Sequence, residues 1–162
     1  MTTMRLYMKQ KMFSFKQDFN IIDEKQQPVY KIDGEFFTVG RKLHIIDLRQ
    51  NEEVALVKQK VLTLLPQVDV FVRGQQITSI RKKLTFFKQE YDVSDLGWKI
   101  TGDIWAHDYD IFDAEGDHIA SISKKYFAMT DSYEFSINNK EVDPVYVIAV
   151  ALAIDAVMDS KQ

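Results

Sequence analysis

The feature that most constrains this chain is an uncharged apolar run near its C-terminal end, residues 145–154, which directly follows Asp143 and Pro144. Aspartate is a preferred helix N-cap, and proline is tolerated at the first helical position because the N–H that it lacks has no intrahelical partner there. The pattern therefore predicts a helix over Pro144–Asp159, about 24 Å long at the usual rise per residue. Because this helix is apolar on every side, it must be buried on every side.

Most of the remaining chain is typical of short antiparallel strands. Three segments, which begin at Phe19, Leu43 and Tyr109, share a pattern of apolar strand, aspartate, polar turn and second strand. The aspartate is expected to start each turn by accepting hydrogen bonds from the main chain that follows it. Further strands are predicted at residues 6–15, 68–72, 77–84, 86–93, 98–104 and 133–137. This spacing indicates an antiparallel sandwich or barrel, and a barrel threaded by the helix would satisfy both patterns.

Length, cysteine content and charge narrow the class of protein. The 162 residues contain no low-complexity linker, which predicts one domain over residues 1–162. The absence of cysteine excludes disulfide scaffolds, cysteine-ligated metals and thiol catalysis. A net charge of −3 does not indicate a nucleic-acid binder. Residues 1–102 carry +5 and residues 103–162 carry −8, and we expect strands from the two halves to interleave and average out this split.

No targeting or membrane-spanning segment is predicted. The first residues carry charges at Arg5, Lys9 and Lys11 without the apolar stretch of a secretory signal. The run at residues 145–154 is too short for a membrane span, which needs about 20 residues. We therefore expect a cytoplasmic protein without a transmembrane span.

Four segments of the C-terminal third carry a family resemblance: residues 104–113 (IWAHDYDIFD), residues 122–127 (ISKKYF), residues 131–133 (DSY), and Asp143-Pro144 with the apolar run. In these segments the chain resembles the LURP-one-related family, which belongs with the tubby C-terminal-like and phospholipid scramblase domains. The resemblance implies a closed antiparallel β-barrel of about twelve strands around the hydrophobic C-terminal helix. That family has no established catalytic residues, so the resemblance implies no active site.

No enzymatic motif is present in the sequence. It lacks the serine nucleophile elbow, the zinc-binding H-E-x-x-H helix, the P-loop and the dinucleotide-binding glycine turn. The three histidines, His44, His107 and His118, lie in or beside predicted strands, where an isolated histidine is usually structural. An acidic segment has a spacing that favours turn chemistry over a calcium loop; its residues are Asp103, Asp108, Asp110, Asp113, Glu115 and Asp117. We expect no catalysis, no metal and no cofactor.

Basic residues provide the candidate binding site. Lysine and arginine bind phosphate oxygens through charge-assisted hydrogen bonds. Together with the family resemblance, they indicate a peripheral binder of anionic phospholipid or of another phosphate-bearing ligand. The alternative is a protein–protein interaction or structural module, in which the lysines only protect exposed strands from aggregation. The sequence leaves open whether the six candidate residues share one face; they are Lys58, Lys60, Arg81, Lys82, Lys83 and Lys88.

Overall fold

The computed structural model describes residues 3–8, 18–35, 40–84, 89–93, 95–104, 106–126, 131–139 and 141–159. For residues 82–84, 89–93, 125–126, 131 and 159 it describes the backbone alone. Within these residues the chain forms twelve strands followed by one helix. Their bounds are β1 (Met4–Met8), β2 (Phe19–Ile22), β3 (Pro28–Glu35), β4 (Lys42–Asp47), β5 (Glu52–Gln59), β6 (Gln67–Val72), β7 (Gln75–Leu84), β8 (Gln89–Val93), β9 (Lys99–Asp103), β10 (Asp108–Phe112), β11 (His118–Tyr126), β12 (Asp131–Ile137) and α1 (Pro144–Asp159).

All twelve strands belong to one antiparallel sheet in the order β8-β7-β6-β5-β4-β3-β2-β1-β12-β11-β10-β9. This confirms the predicted class, mainly β and antiparallel with one C-terminal helix. Strands β8 and β9 form the two ends of the sheet, and the pairings among the described residues do not include one between them.

The strand order separates the two halves of the sequence in space. Strands β1 to β8 form one continuous arc, strands β9 to β12 form a second, and the arcs meet where β1 pairs with β12. The expectation that the halves interleave is therefore wrong. Short connections keep neighbours in sequence adjacent in the sheet. All strands of the basic half except β9 therefore lie in the first arc, and the strands of the acidic half lie in the second.

Helix α1 forms the centre of the hydrophobic core. Residues 147–157 are all buried, Asp155 among them, and the helix packs against β5, β6 and β7 and also against β12. The predicted bounds match the observed helix. The predicted N-cap is confirmed because the Val145 N–H donates to Asp143 Oδ1 at 3.0 Å.

The three repeated hairpins share their turn chemistry. In each, an aspartate Oδ1 accepts the main-chain N–H two residues later, at 2.9 Å for Asp23, 2.8 Å for Asp47 and 2.9 Å for Asp113. Each hairpin also contains a shift in register shortly before its aspartate. The sequence repeat is therefore a repeated structural unit of strand, bulge and aspartate-capped turn.

An ionic bridge at His44 joins three strands on the outer face of the sheet. His44 lies on β4, its Nε2 is 2.9 Å from Glu35 Oε2 of β3, and its Nδ1 contacts Glu53 of β5. Burial lowers the pKa of His44, but hydrogen bonds to the two glutamates outweigh burial, so the pKa is raised above 6.5. The two glutamates thus stabilise the protonated form of His44 more in the folded state than water does in the unfolded state.

The raised pKa of His44 predicts a pH dependence of stability. Its contribution is fully present below the unfolded pKa of about 6.5 and is lost as the pH rises through the higher folded pKa. We expect His44→Gln to reduce the free energy of unfolding more at pH 5.5 than at pH 8.5, as measured by urea denaturation. An equal loss at both pH values would contradict this assignment.

The buried helix predicts a severe effect of charge in the core. Ile148 is 0% exposed, and an unpaired carboxylate there costs several kcal/mol, comparable with a whole-domain stability of about 5–15 kcal/mol. We expect Ile148→Asp, or deletion of residues 142–162, to abolish cooperative thermal unfolding followed by circular dichroism. Met158→Asp, at the partly exposed end of the same helix, should be milder. A truncated chain that melts near the wild-type temperature would contradict the model.

Candidate functional site

Alternating strand directions place the connections at two opposite ends of the sheet. One end holds Asp143, the start of α1 and the turns that follow β2, β4, β6 and β10. The other end holds residues 60–66, which connect β5 to β6, together with Ile104, residues 106–107 and the last turn of α1. We call them the cap end and the loop end.

The β5–β6 connection exposes a concentrated apolar surface. Leu62 and Leu64 are each 100% exposed, and Val61 and Leu65 are 41% and 38% exposed. Five large apolar side chains are exposed among those that the structure describes, and four of them belong to this connection. We call residues 61–65 the apolar loop. Exposed apolar side chains that form a patch mark an interaction site, whereas those scattered singly over a surface do not.

The apolar loop is fixed at its base by main-chain contacts. Lys60 N–H donates to the Gln67 carbonyl at 2.9 Å, and Gln59 N–H donates to the Arg41 carbonyl at 2.8 Å. Gly40, at φ 87°, allows a close approach, since a Cβ there would lie 2.8 Å from the Gln59 carbonyl oxygen and 3.1 Å from Val61 Cγ1. Leu62 itself has φ 61°, a region that is unfavourable for leucine and that is often associated with function.

Three of the six basic residues predicted from the sequence lie beside this loop. Lys58 is an exposed residue near the end of β5, Lys60 begins the connection, and the exposed Arg81 lies opposite Gln67 where β6 begins. Lys58 and Lys60 are two positions apart and therefore project from the same face. Among the described side chains, none of the three cations Lys58, Lys60 and Arg81 is held in an ion pair.

Two carboxylate residues lie opposite these cations in the register. Asp92 of β8 is opposite Arg81, with its backbone alone described, and the other is engaged elsewhere. Asp69 of β6 is opposite Lys58 in the register. Its Oδ1 accepts hydrogen bonds from Ser79 Oγ at 2.6 Å and from Gln67 Nε2 at 3.2 Å. Asp69 thus reduces the local positive charge without forming an ion pair within 4 Å of Lys58.

The other three predicted basic residues are less completely described. Lys82 and Lys83 continue β7 opposite Tyr91 and Glu90 of β8, with the backbone alone described. Lys88 lies outside the described residues. The structure therefore brings Lys58, Lys60 and Arg81 to one surface, and the side chains of Lys82, Lys83 and Lys88 stay a prediction.

Sequence reasoning missed two further cations and the apolar loop itself. Lys42 of β4 lies opposite Lys58, and Arg41 contributes its main chain to the loop base. The only signal for the loop was the short run of residues 61–65 directly before Pro66. Such a run is equally compatible with a buried strand, so its exposure is known only from the fold.

A second polar cluster joins β10 and β11 around His118. His118 Nε2 is 2.9 Å from Asp110 Oδ1 and 3.1 Å from Ser121 Oγ. Asn138 Nδ2 is 2.5 Å from His118 Nδ1. Ser121 Oγ donates to Asp110 Oδ1 at 2.5 Å. Hydrogen bonds from Ser121 and His118 lower the pKa of Asp110.

The geometry of this cluster differs from that of a catalytic serine–histidine pair. In a catalytic triad the acid holds Nδ1, so that Nε2 accepts the serine proton. Here Asp110 faces Nε2, which must carry the hydrogen because a carboxylate oxygen only accepts. Ser121 then donates to Asp110 and has no base, so the cluster is suited to binding the two strands together.

His107 also has an acidic partner. It lies in the turn between β9 and β10, with Nδ1 3.4 Å from Asp155 Oδ1 of α1 and its ring edge-on to Tyr133 at 4.9 Å. Burial, with a smaller contribution from Lys124, lowers the pKa of His107. Burial and the nearby Asp155 raise the pKa of Tyr109. Asp155, the buried carboxylate described in the helix, thus lies close to His107 and Tyr109.

The acidic turn between β10 and β11 matches the interpretation from the sequence. Asp113 Oδ1 accepts the main-chain N–H groups of Glu115 and Asp117, both at 2.9 Å. The three carboxylates lie within 4.8 Å of one another. Two of the three side chains are exposed, and the hydrogen bonds account for the position of Asp113 in the turn.

Within the described residues, no helix combines the length and apolar character needed to cross a membrane.

Comparisons with known proteins identify the family of this chain and a solved structure with a similar fold. The family model described as LURP-one-related matches residues 4–155. A protein of Bacillus subtilis (strain 168), named uncharacterized protein YxjI, is 36% identical over 153 residues, which cover 94% of this chain and 93% of that protein. The X-ray structure of an Arabidopsis thaliana protein has a TM-score of 0.68 at 12% identity, over 96% of this chain and 91% of the other. The resemblance seen in the sequence is confirmed: this chain belongs to the LURP-one-related family.

Proposed function

We propose that this protein is a non-catalytic, cytoplasmic, peripheral membrane protein that binds anionic phospholipid surfaces through its loop end. The observation that carries the proposal is the pairing of two fully exposed leucines, Leu62 and Leu64, with the exposed Lys58, Lys60 and Arg81 beside them. The leucines would enter the headgroup region, and the cations would contact phosphate oxygens around them.

The magnitudes are those of reversible binding. Burying a leucine side chain contributes about 1.5–3 kcal/mol, and a basic residue near an anionic surface contributes about 1 kcal/mol. Neither class of contact is sufficient alone, because stable membrane attachment generally requires two signals. The apolar loop and the three cations provide those two signals on one surface.

The cap end provides an internal comparison that favours the loop end. There, Arg73 Nη2 lies 3.0 Å from Asp143 Oδ2, Arg49 Nη2 lies 3.2 Å from Asp47 Oδ2, and Arg5 lies 3.7 Å from Glu24. A phosphate group would have to displace a carboxylate from each arginine. Within the described side chains, Lys58, Lys60 and Arg81 have no carboxylate to displace, which favours the loop end for anionic lipid.

For the fold, we also propose that the sheet closes into a barrel through pairing of its two end strands, β8 and β9. These two strands end the sheet and follow one another in the chain. Closure would remove both sheet edges and surround a helix that is buried over residues 147–157. A closed wall would hold the apolar loop in a fixed direction relative to the helix.

The proposal of a non-catalytic role is supported by the hydrogen bonding of His118. A base that could activate Ser121 is occupied by Asp110 in the observed arrangement. Nucleophilic catalysis requires a base within hydrogen-bonding reach that can accept the proton. The cluster is thus better explained as a structural link than as an active site.

The lipid proposal predicts binding that depends on both charge and apolar contact. We expect sedimentation with vesicles that contain anionic phosphatidylserine and much weaker sedimentation with neutral phosphatidylcholine vesicles. Binding should fall between about 0.05 M and 0.15 M salt, since the Debye length shortens to about 8 Å. Lys58→Glu with Lys60→Glu should weaken binding at least about tenfold, and Leu62→Ser with Leu64→Ser should weaken it comparably.

A matched control separates the loop end from net charge. Lys99→Glu changes the charge as much as Lys60→Glu does, but Lys99 begins β9 at the cap end, so it should leave vesicle binding nearly unchanged. Because the chain has no cysteine, an environment-sensitive dye can be attached after Leu64→Cys or Glu115→Cys. The dye should report an apolar environment on vesicles only at position 64. Equal signals at both positions, or no preference for anionic vesicles, would overturn the proposal.

The non-catalytic proposal predicts background rates with esterase, phosphatase, peptidase and nuclease substrates. Ser121→Ala and His118→Ala should leave those rates unchanged while lowering the melting temperature, because they remove hydrogen bonds between β10 and β11. A turnover well above background that either substitution abolishes would refute a purely structural role for this cluster.

A further inference from the structure

A cavity of about 830 Å³ opens at the cap end, beside the start of α1. Its volume lies in the range of small-ligand sites, about 300–1,000 Å³. Its walls come from the first residues of β1, the β2–β3 turn, the β4–β5 turn and the start of the helix. This cavity lies at the opposite end from the apolar loop and is independent of the proposed membrane contact.

One wall of the cavity is the part of the edge of β1 that β2 does not pair with. Strand β1 pairs with β12 from Met4 to Met8, whereas in the described residues it pairs with β2 at Tyr7 and Met8 alone. β2 ends there because Asp23 enters a turn, in which its N–H donates to the Gln27 carbonyl at 3.0 Å. The first part of β1 therefore borders the cavity instead of a neighbouring strand.

Hydrogen-bond alternation identifies the main-chain groups that face this gap. Asn138 N–H donates to the Ile119 carbonyl, towards β11. The main-chain N–H and carbonyl groups of successive residues in a strand point to opposite neighbouring strands. Those of Ile137 therefore point to β1, where Ile137 is opposite Met4. By the same alternation, the N–H and carbonyl of Met4 point to β12, and those of Arg5 point towards the cavity. Arg5 thus provides one donor and one acceptor of the kind that an added strand uses.

The side chains around the cavity favour a neutral ligand over a phosphate. Four cationic and four carboxylate residues line it, so their formal charges cancel. Arg49 is held by Asp47 and by the Tyr30 hydroxyl, both at 3.2 Å, and Arg73 is held by Asp143 at 3.0 Å. These arginines are already engaged, and a ligand with multiple negative charges would gain little from them.

The floor of the cavity is apolar. Leu6, Val29, Ile137 and Val145 line it and are buried, and Met4 at its edge is 47% exposed. Leu6 and Met4 flank Arg5, so a strand placed opposite Arg5 would direct its two neighbouring side chains to this floor. The site combines a main-chain pairing position with apolar subsites on either side of it.

We propose that this cavity binds an extended, uncharged peptide segment, which pairs with Arg5 of β1 and buries two small apolar side chains against the floor. The mode is strand addition, in which main-chain hydrogen bonds provide affinity and alternate side chains provide selectivity. A membrane-bound protein would then present this site away from the lipid surface, available to a segment of another protein.

The test uses the capped peptide acetyl-Val-Thr-Val-amide and the same peptide with the threonine nitrogen methylated. Both have the same side chains, but methylation removes the N–H that pairs with the Arg5 carbonyl. We expect the first peptide, at about 1 mM, to shift the amide NMR signals of Arg5, Leu6 and Val145 in the 162-residue chain. The methylated peptide should bind at least about fivefold more weakly.

A cavity-filling variant tests the position of the site, and inorganic phosphate tests the chemical class of its ligand. Val142→Trp should fill the cavity and abolish the shifts, with an unchanged amide spectrum elsewhere as the control for folding. Inorganic phosphate should give smaller shifts at Arg5 and Arg73 than the peptide does. Absence of shifts with the unmethylated peptide, equal binding of the methylated peptide, or a larger effect of phosphate would each overturn the proposal. Vesicle binding should be unaffected by the peptide, so failure here and failure of the lipid proposal are separate results.

Discussion

The fold depends on the need to bury a helix that has no polar face. Over residues 147–157 of α1 every side chain is buried, so the helix cannot lie on the surface of a sheet with one side in water. The helix is covered by strands of a single antiparallel sheet. It contacts β5–β7 of one arc of that sheet and β12 of the other. The N-cap at Asp143 and the aspartate-capped turns lie where the helix and the hairpins begin or end.

The two ends of the wall use charge in opposite ways. At the cap end, Arg49 and Arg73 are ion-paired with carboxylates that also cap turns or the helix. These pairs contribute to the local structure and leave little net charge for a partner. At the loop end, Lys58, Lys60 and Arg81 are exposed beside two exposed leucines. The same residue types are therefore structural at one end and available at the other, and only position in the fold separates the two roles.

Membership of the LURP-one-related family explains the architecture better than it explains the function. The Arabidopsis structure shares the fold at 12% identity, which is reasonable because a core tolerates extensive apolar replacement when its volume and pattern are kept. Function resides in sites placed on such a fold and is not implied by the fold itself. The apolar loop lies in a connection, and turns and strand ends form the rim of the cap-end cavity over its core floor. Connections and strand ends are where chains of the same fold have the greatest freedom to differ.

Much of the architecture was determined by local sequence alone. The helix bounds follow from Asp143, Pro144 and an uncharged run, and the hairpins follow from aspartates that accept hydrogen bonds from their own turns. These are interactions between residues a few positions apart, so a pattern in sequence is sufficient to predict them. Partners far apart in sequence were not predictable: each histidine is in contact with a carboxylate, but His107 meets Asp155 across 48 positions. The exposure of Leu62 and Leu64, the grouping of Lys58 with Arg81 and the gap beside Arg5 were likewise decided by tertiary structure. They depend on which strands become neighbours and where a neighbour ends, and that is set by long-range packing around the helix.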